Sequence, residues 1–448
     1  MTELASPAAQ DPVTKNGRVI CHHVAEAAGP TLIAVGGLHG NEPAGILASL
    51  AIDRCLRETT PLATGSFVAL RGNLAALAFD HEQPINNPRY VQRDLNRLFH
   101  HDDQGHRTPD HDERDALRDA IDAVARESRG EIVLLDLHTT SSDSPPFIAV
   151  EDSIPARRFA ERFALPLILG IEEDLRGLLM DDTTERLRCI ALTVEGGCHN
   201  SPLAAHTLEA VLLIALEALG LISPDACTCR DERPIETTRR AAGSHAHRVY
   251  DIRHREPVRA LPYIPDTDAE PFDRVRAHKT RIARQAEADL FAAESGLLFM
   301  PNRQRDIRVG DDAYFVVRRV GRTWLRISAG LRASERLHHM LPKILPGVRH
   351  RPGHAHDLLV DPQIAAILRR ELFHVLGYRL VRFEATPGLP RLVRAARAAR
   401  FSLHALTRIA ANLLRRGSTD DAQHESDEDW IVRRHVLDTE PATADQHT

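Results

Sequence analysis

Nowhere in this sequence are the roughly 18 consecutive apolar residues that would span a bilayer. The segment from Met1 to Lys15 is polar and lacks the apolar core of a secretory leader. A cytoplasmic location is therefore the expectation. Lysine is almost missing, occurring only at positions 15, 279 and 343, so arginine carries nearly all the positive charge. A GC-rich genome is sufficient reason for that bias. The net charge of -6 over 448 residues is too mild to predict a nucleic-acid partner. Of the cysteines at 21, 55, 189, 198, 227 and 229, only Cys227 and Cys229 are close, and no C-x-x-C occurs. That scatter argues against a cysteine zinc site or a disulfide framework. Internal repeats are also missing.

What is present is a globular composition: 43% hydrophobic residues with a mean hydropathy of -0.29. The length predicts two or three domains. From 17 to 222, short β-rich runs alternate with amphipathic stretches. The runs are Thr31–Val35, Ser66–Leu70, Glu131–Leu137, Phe147–Val150 and Ile190–Val194; the helix-like stretches are Pro43–Leu56, Asp112–Glu127 and Ala204–Leu219. This order predicts an α/β domain, a mixed sheet sandwiched by helices, with ligands gathering at the carboxyl ends of its strands. Residues 223–242 are polar and read as a linker. Residues 243–330 read as a small mostly-β domain with runs at His247–Ile252 and Tyr314–Arg318, a turn at Val309–Asp311 and a helix over Asp273–Leu290. Residues 331–448 form a helical C-terminal extension, with helix-like segments near 361–377 and 389–416 and an acidic tail from 418.

The strongest local signal runs from Thr31 through Gly36, Gly37, His39 and Glu42 to Pro43. A buried strand meets two glycines that permit a sharp turn, and Pro43 suits the first turn of a helix. His39 and Glu42 can converge from that loop, and His138, at the end of the run Ile132–Leu137, can supply a third ligand. Two histidines, one carboxylate and an open water position make up a catalytic zinc site such as that of carboxypeptidase A. Alone, an H-x-x-E pair arises by chance and a lone strand histidine is more often structural; the argument rests on the three together. Asp136 would either orient a ligand from behind or be satisfied by backbone.

The motifs G-G-x-H-G-N-E-P at 36–43, R-G-N at 71–73, R-Y-V-Q-R-D-L-N-R at 89–97, D-L-H-T-T at 136–140 and V-E-G-G at 194–197 occur in one order. Over roughly 17–220 the chain resembles the succinylglutamate desuccinylase/aspartoacylase family, which is related to the zinc carboxypeptidases. The resemblance implies one zinc per chain on His39, Glu42 and His138, and hydrolysis of the amide of a small N-acyl amino acid. It implies Glu195 as the residue that moves the water's proton and Arg89 as the cation for the tetrahedral oxyanion. It further implies Asn96 and Arg97 gripping the substrate carboxylate, Asp94 supporting the arginines and Asn73 lining the pocket. Without the resemblance, Glu195 would read as a solvent-facing strand-end carboxylate and Arg97 as part of a solvated helix face. Beyond about residue 330 no family pattern is recognised.

Two other readings stay open. A zinc carboxypeptidase acting on peptides would share the metal triad, and closure of the pocket by the second domain would distinguish it. A metal-bound, non-catalytic scaffold could instead use the C-terminal helix to bind a membrane or partner. Residues 389–416 carry seven Arg and no acid, with Leu392, Ala396, Ala399, Leu403, Leu406, Ala410 and Leu413 on one stripe. Such a helix can lie on an anionic membrane, but packing on its own domain is the favoured reading. The tail carries nine acids against two Arg and could screen it. A homo-oligomer is not excluded.

Overall fold

A computed structural model describes residues 17–78, 86–99, 106–223, 232–304, 307–332, 334–344, 348–351, 354–360, 376, 378–382 and 430–434. The chain divides into two compact units, Met1–Val320 and Gly321–Thr448. The first unit begins with β1 (Val19–Val24), β2 (Thr31–Gly36), α1 (Ala44–Glu58), β3 (Ser66–Arg71), α2 (Leu74–Leu77) and α3 (Pro109–Glu127). It continues with β4 (Ile132–Thr140), β5 (Phe147–Val150), α4 (Ile154–Ala160), β6 (Leu167–Leu169), α5 (Ile171–Asp174) and α6 (Leu179–Leu187). Next come β7 (Ile190–Cys198), α7 (Pro202–Ala218), α8 (Pro234–Ala242), β8 (Val249–Pro257), β9 (Tyr263–Pro265) and β10 (Arg274–Val275). β11 (Arg281–Gln285), β12 (Ala288–Phe291), β13 (Gly296–Phe299) and β14 (Asp312–Val320) complete it.

Eleven strands form one mixed sheet in the order β1-β3-β2-β4-β7-β5-β6-β8-β14-β13-β10. At its centre β3, β2, β4 and β7 run parallel, and all six residues of β2 are buried. A strand covered on both faces needs this unbroken apolar run in place of alternation. Leu117 and Ile121 of α3 and Leu179 and Met180 of α6 join Ile33, Val35 and Leu134 in one core cluster. α1 and α7 pack against each other and against β2 and β7. The expected α/β fold is therefore what the chain adopts.

Three expectations change. The polar stretch read as a linker ends in a helix, α8, which packs on α7; its proline falls at the start, where the missing N–H costs nothing. The mostly-β segment is not walled off from the first domain, because β8 pairs in parallel with β6, Leu167 opposite Val249. The unit closes at Val320, with helix α9 beyond it. The helix expected over Asp273–Leu290 is instead strand β10 and the hairpin β11–β12, with Gln285 opposite Ala288. Ala286 makes that turn at φ 47°, so the Gly or Asn signal that normally marks a two-residue hairpin is missing.

The described part of the second unit contains α9 (Arg322–Arg332), α10 (Glu335–Ile344), β15 (Val348–Arg351), β16 (His354–Val360), β17 (Tyr378–Arg382) and β18 (Trp430–Arg434). The extension is thus not purely helical: these strands form an antiparallel sheet in the order β15-β16-β18-β17, and the acidic tail contributes one of them. Leu341, Val348, Leu358, Val360, Leu376 and Tyr378 give the unit its own small core. The helices expected near 361–377 and at 389–416 lie, Leu376 apart, outside the described residues. Among the described residues no helix is long and apolar enough to cross a membrane. A chain ended after Val320 is expected to remain soluble and melt in one cooperative transition, as circular dichroism would register. Aggregation on truncation would make Gly321–Thr448 part of the first unit's fold.

Candidate metal and catalytic site

The site lies where β2, β4 and β7 end side by side. After β2 the backbone turns at Gly37 (φ +70°) and runs through Gly40, where a Cβ would stand 2.5 Å from the Pro88 carbonyl oxygen and 2.6 Å from that of Ala76. That close approach lets Gly40 N–H donate to Arg89 O at 3.0 Å, joining the His39 loop to the arginine segment. His39, Glu42 and His138 are buried, and their donor atoms lie within 4.8 Å of one another.

Glu42 is the hub. One oxygen, Oε1, is 2.9 Å from His39 Nδ1 and accepts from Arg89 Nη1 at 2.9 Å. The other, Oε2, is 3.0 Å from His138 Nδ1 and accepts from Thr139 N at 3.0 Å. Both imidazoles are held from behind through Nε2, His39 by Asp94 at 3.0 Å and His138 by Asp136 at 2.8 Å. Carboxylates in this outer position fix ring orientation and leave Nδ1 of each ring as the atom that could face a metal. Burial opposes charge on Glu42, but His39 and His138 hold its carboxyl well below the usual range. Burial likewise opposes charge on His138, yet Asp136 and Glu42 raise it well above the ordinary histidine value. With a carboxylate on each ring nitrogen, His138 carries positive charge where a cation would otherwise balance the acids. The donor set of two imidazoles and a carboxylate thus fits a divalent zinc ion.

Glu195 stands directly opposite His138 in the β4–β7 register. It is 8% exposed, and its Oε2 is buried with no hydrogen-bond partner among the described residues. Burial, opposed by the charges of His138 and Arg89, pushes its carboxyl up to about 8. Arg89 Nε donates to Asp94 at 3.3 Å. Although burial works against it, Asp94 and Glu42 keep the guanidinium charged, with its value raised further.

The residues expected to bind substrate are placed differently from one another. Asn73 is fully buried, its Oδ1 capping α2 through Ala76 N and its Nδ2 donating to Asp110 at 3.0 Å. Both ends of that amide serve the scaffold, so the pocket-lining expectation does not suit it. Asp94 buttresses His39 as well as Arg89. Asn96 accepts from Leu179 N at 2.8 Å and so fastens α6. Arg97 is partly exposed and donates through Nη2 to Asp312 at 3.0 Å. Asp312 also accepts from Arg255 Nε at 2.5 Å.

Three neighbours were not singled out from the sequence. Asp110, in the first turn of α3, accepts from the backbone N–H groups of Val91, Gln92 and Arg93 at 2.8–3.1 Å and so shapes the Arg89–Arg97 loop. His199 is hydrogen-bonded through Nδ1 to Thr139 Oγ1 at 2.7 Å, and its Nε2 is buried without a partner among the described residues. Burial, with the positive charges of Arg89, His39 and His138, lowers it to about 4. Asp312 is the third. No pattern around these residues announces the contacts they make.

Residues 28–222 match the model for the succinylglutamate desuccinylase/aspartoacylase catalytic domain. That segment belongs to the succinylglutamate desuccinylase/aspartoacylase family. The family consists of hydrolases that act on N-acyl amino acids. Among curated proteins none matches the chain. Similar solved structures include a succinylglutamatedesuccinylase/aspartoacylase from Rhodobacter sphaeroides, 20% identical, covering 66% of this chain and 87% of its own at a TM-score of 0.46. A second is the succinylglutamate desuccinylase of Vibrio parahaemolyticus, 16% identical, covering 66% and 83% at a TM-score of 0.46. The product-bound ectoine utilization protein EutE (DoeB) of Ruegeria pomeroyi is 16% identical, covering 65% and 86% at a TM-score of 0.46. The desuccinylase/aspartoacylase segment ends at residue 222, whereas the sheet that carries its site continues to β14.

Proposed function

We propose that the first unit is a zinc-dependent amidohydrolase that removes the acyl group from a small N-acyl amino acid. The observation that carries this reading is the convergence of His39, Glu42 and His138 beside a buried, unpartnered Glu195. Zinc held by those three residues would polarise the scissile carbonyl and acidify a water, and its charge would also draw the Glu195 carboxyl down from its raised value. Glu195 Oε2, free to accept, takes the water's proton and delivers it to the departing amine. Arg89, kept charged by Asp94 and Glu42, stabilises the negative charge that grows on the carbonyl oxygen. Asp94 and Asp136 hold the two imidazoles in the coordinating orientation. Arg97 receives the substrate carboxylate, exchanging its contact with Asp312 for one with substrate.

A peptidase reading is less favoured because the described parts of segment 302–312 reach across the site's flanks. Arg303 N donates to Ser141 Oγ at 3.2 Å, Arg308 stacks 4.6 Å over the Tyr90 ring and donates to Gln92 O at 3.2 Å. Chain held across those flanks favours a small substrate over an extended peptide. The test is a panel of N-succinyl and N-acetyl amino acids and a blocked dipeptide, assayed with metal analysis of the purified chain. Turnover of one or more small N-acyl amino acids, with about one zinc per catalytic site, is expected; turnover confined to peptides would overturn the reading. On the preferred substrate Arg97→Ala should lose roughly 2–5 kcal/mol in kcat/KM. An amide analogue of the substrate carboxylate should be poor for wild type and lose little more in the variant.

A further inference from the structure

A second cluster of ligating side chains lies on the edge strand. Cys21 and His23 are two residues apart on β1 and so project to one face, and α1, packed on β1, brings Asp53 to them. The donor atoms of Cys21, His23 and Asp53 all lie within 4.8 Å of one another. His23 Nε2 is 2.8 Å from Asp53 Oδ1, and the same oxygen accepts from Arg57 Nε at 2.9 Å. Cys21 is 4% exposed, whereas the His23 and Asp53 side chains keep 19% and 15%.

We infer that Cys21, His23 and Asp53 form a second metal site, for a thiophilic divalent cation of the zinc class, which fastens the edge strand β1 to α1. Thiolate, imidazole and carboxylate are together a zinc donor set, and bond lengths of about 2.0–2.3 Å set such donors roughly 3–4 Å apart. The cluster needs only a small closure to reach that spacing. A thiolate and a carboxylate would offset the cation's two charges, with Arg57 remaining on the partly exposed Asp53, whereas either of the harder cations, magnesium or calcium, would prefer oxygen alone. Partial exposure of His23 and Asp53 leaves a side open for water as the fourth ligand. Without a cation, burial and the Asp53 carboxylate push the Cys21 thiol up to about 12, so ion binding would release the thiol proton. The clip acts on the helix whose N-cap, Pro43, directly follows Glu42.

Cobalt(II) separates this site from the other one, because His39, Glu42 and His138 include no sulfur. The full-length chain, stripped of metal and titrated with Co2+, should bind two ions, one of which brings a thiolate-to-cobalt charge-transfer band in the near ultraviolet. Cys21→Ser should abolish the band and one equivalent of bound metal while turnover persists. Asp53→Asn, which keeps the thiol, should weaken the band's cobalt affinity by at least tenfold and serves as the check if Cys21→Ser does not fold. No band in the wild type, a band that survives Cys21→Ser, or unchanged affinity in Asp53→Asn would each overturn the site. Failure of the deacylase reading would appear separately, as absent turnover with the band intact.

Discussion

Glu195→Gln should reduce turnover by about 10²–10⁴-fold, the usual effect of losing an acid–base group, while zinc content and fold are preserved. Loss of zinc would instead make Glu195 a ligand, and near-normal turnover would remove it from the chemistry. The same variant should behave unexpectedly in stability. In the metal-stripped chain the carboxyl is raised from 4.5 to about 8 by burial. A group whose folded value is raised contributes stability below its unfolded value and loses it as pH rises through the folded value. At pH 9 the ionised, buried Glu195 therefore costs up to ~5 kcal/mol. Glu195→Gln should melt above wild type at pH 9 in chelator, and the gap should close as pH falls towards 4. Equal melting temperatures across that range would mean that Glu195 is solvated.

His39→Ala or His138→Ala should lose bound zinc and activity together. His138→Ala carries an added penalty, because Glu42 and Asp136 lose the cation that pairs them; breaking a buried pair from one side costs about 3–5 kcal/mol. Chelation of the wild-type chain provides the same test without mutation. Where free zinc exceeds its dissociation constant about a hundredfold, binding contributes ~2.7 kcal/mol, so stripping it should lower the melting temperature measurably. Full metal occupancy in both single variants would exclude the two histidines as ligands.

The His39–Glu42 half of the candidate metal triad was legible in the sequence because its determinants are local. A buried strand, two glycines, a histidine and a glutamate three residues on, and a helix-starting proline all fall within Thr31–Pro43. His138 followed from the end of an apolar run, whereas Glu195 stood out only through the family resemblance, since a strand-end carboxylate by itself reads as solvent-facing. The residues that shape the rest of the site gave no such signal. Asp110 organises a loop 17–19 residues before it, and Asp312 meets Arg97 across 215 residues, separations over which neither period nor spacing carries information. Motif membership places Asn73 near the site without making it a substrate contact: its fully buried amide accepts from Ala76 N and donates to Asp110. The helix expected over Asp273–Leu290 failed for a local reason, since Ala286 turns the chain with a residue type that argues against a turn.

The pairing of β6 with β8 has a mechanical meaning. The described residues 302–304 and 307–311, which flank the site, lead into β14, and β14 is hydrogen-bonded to β8 along its length, so that flank is tied to the sheet that carries the site. Sheets resist the in-plane shear and rotation that a two-body hinge would need. On the proposed reading, admission of substrate is expected to depend on rotamer changes and short loop excursions rather than on one lobe swinging from another, with Arg97 letting go of Asp312 as one such motion. Such steps are small in amplitude and fast beside domain closure, and they place the gate within the pocket itself.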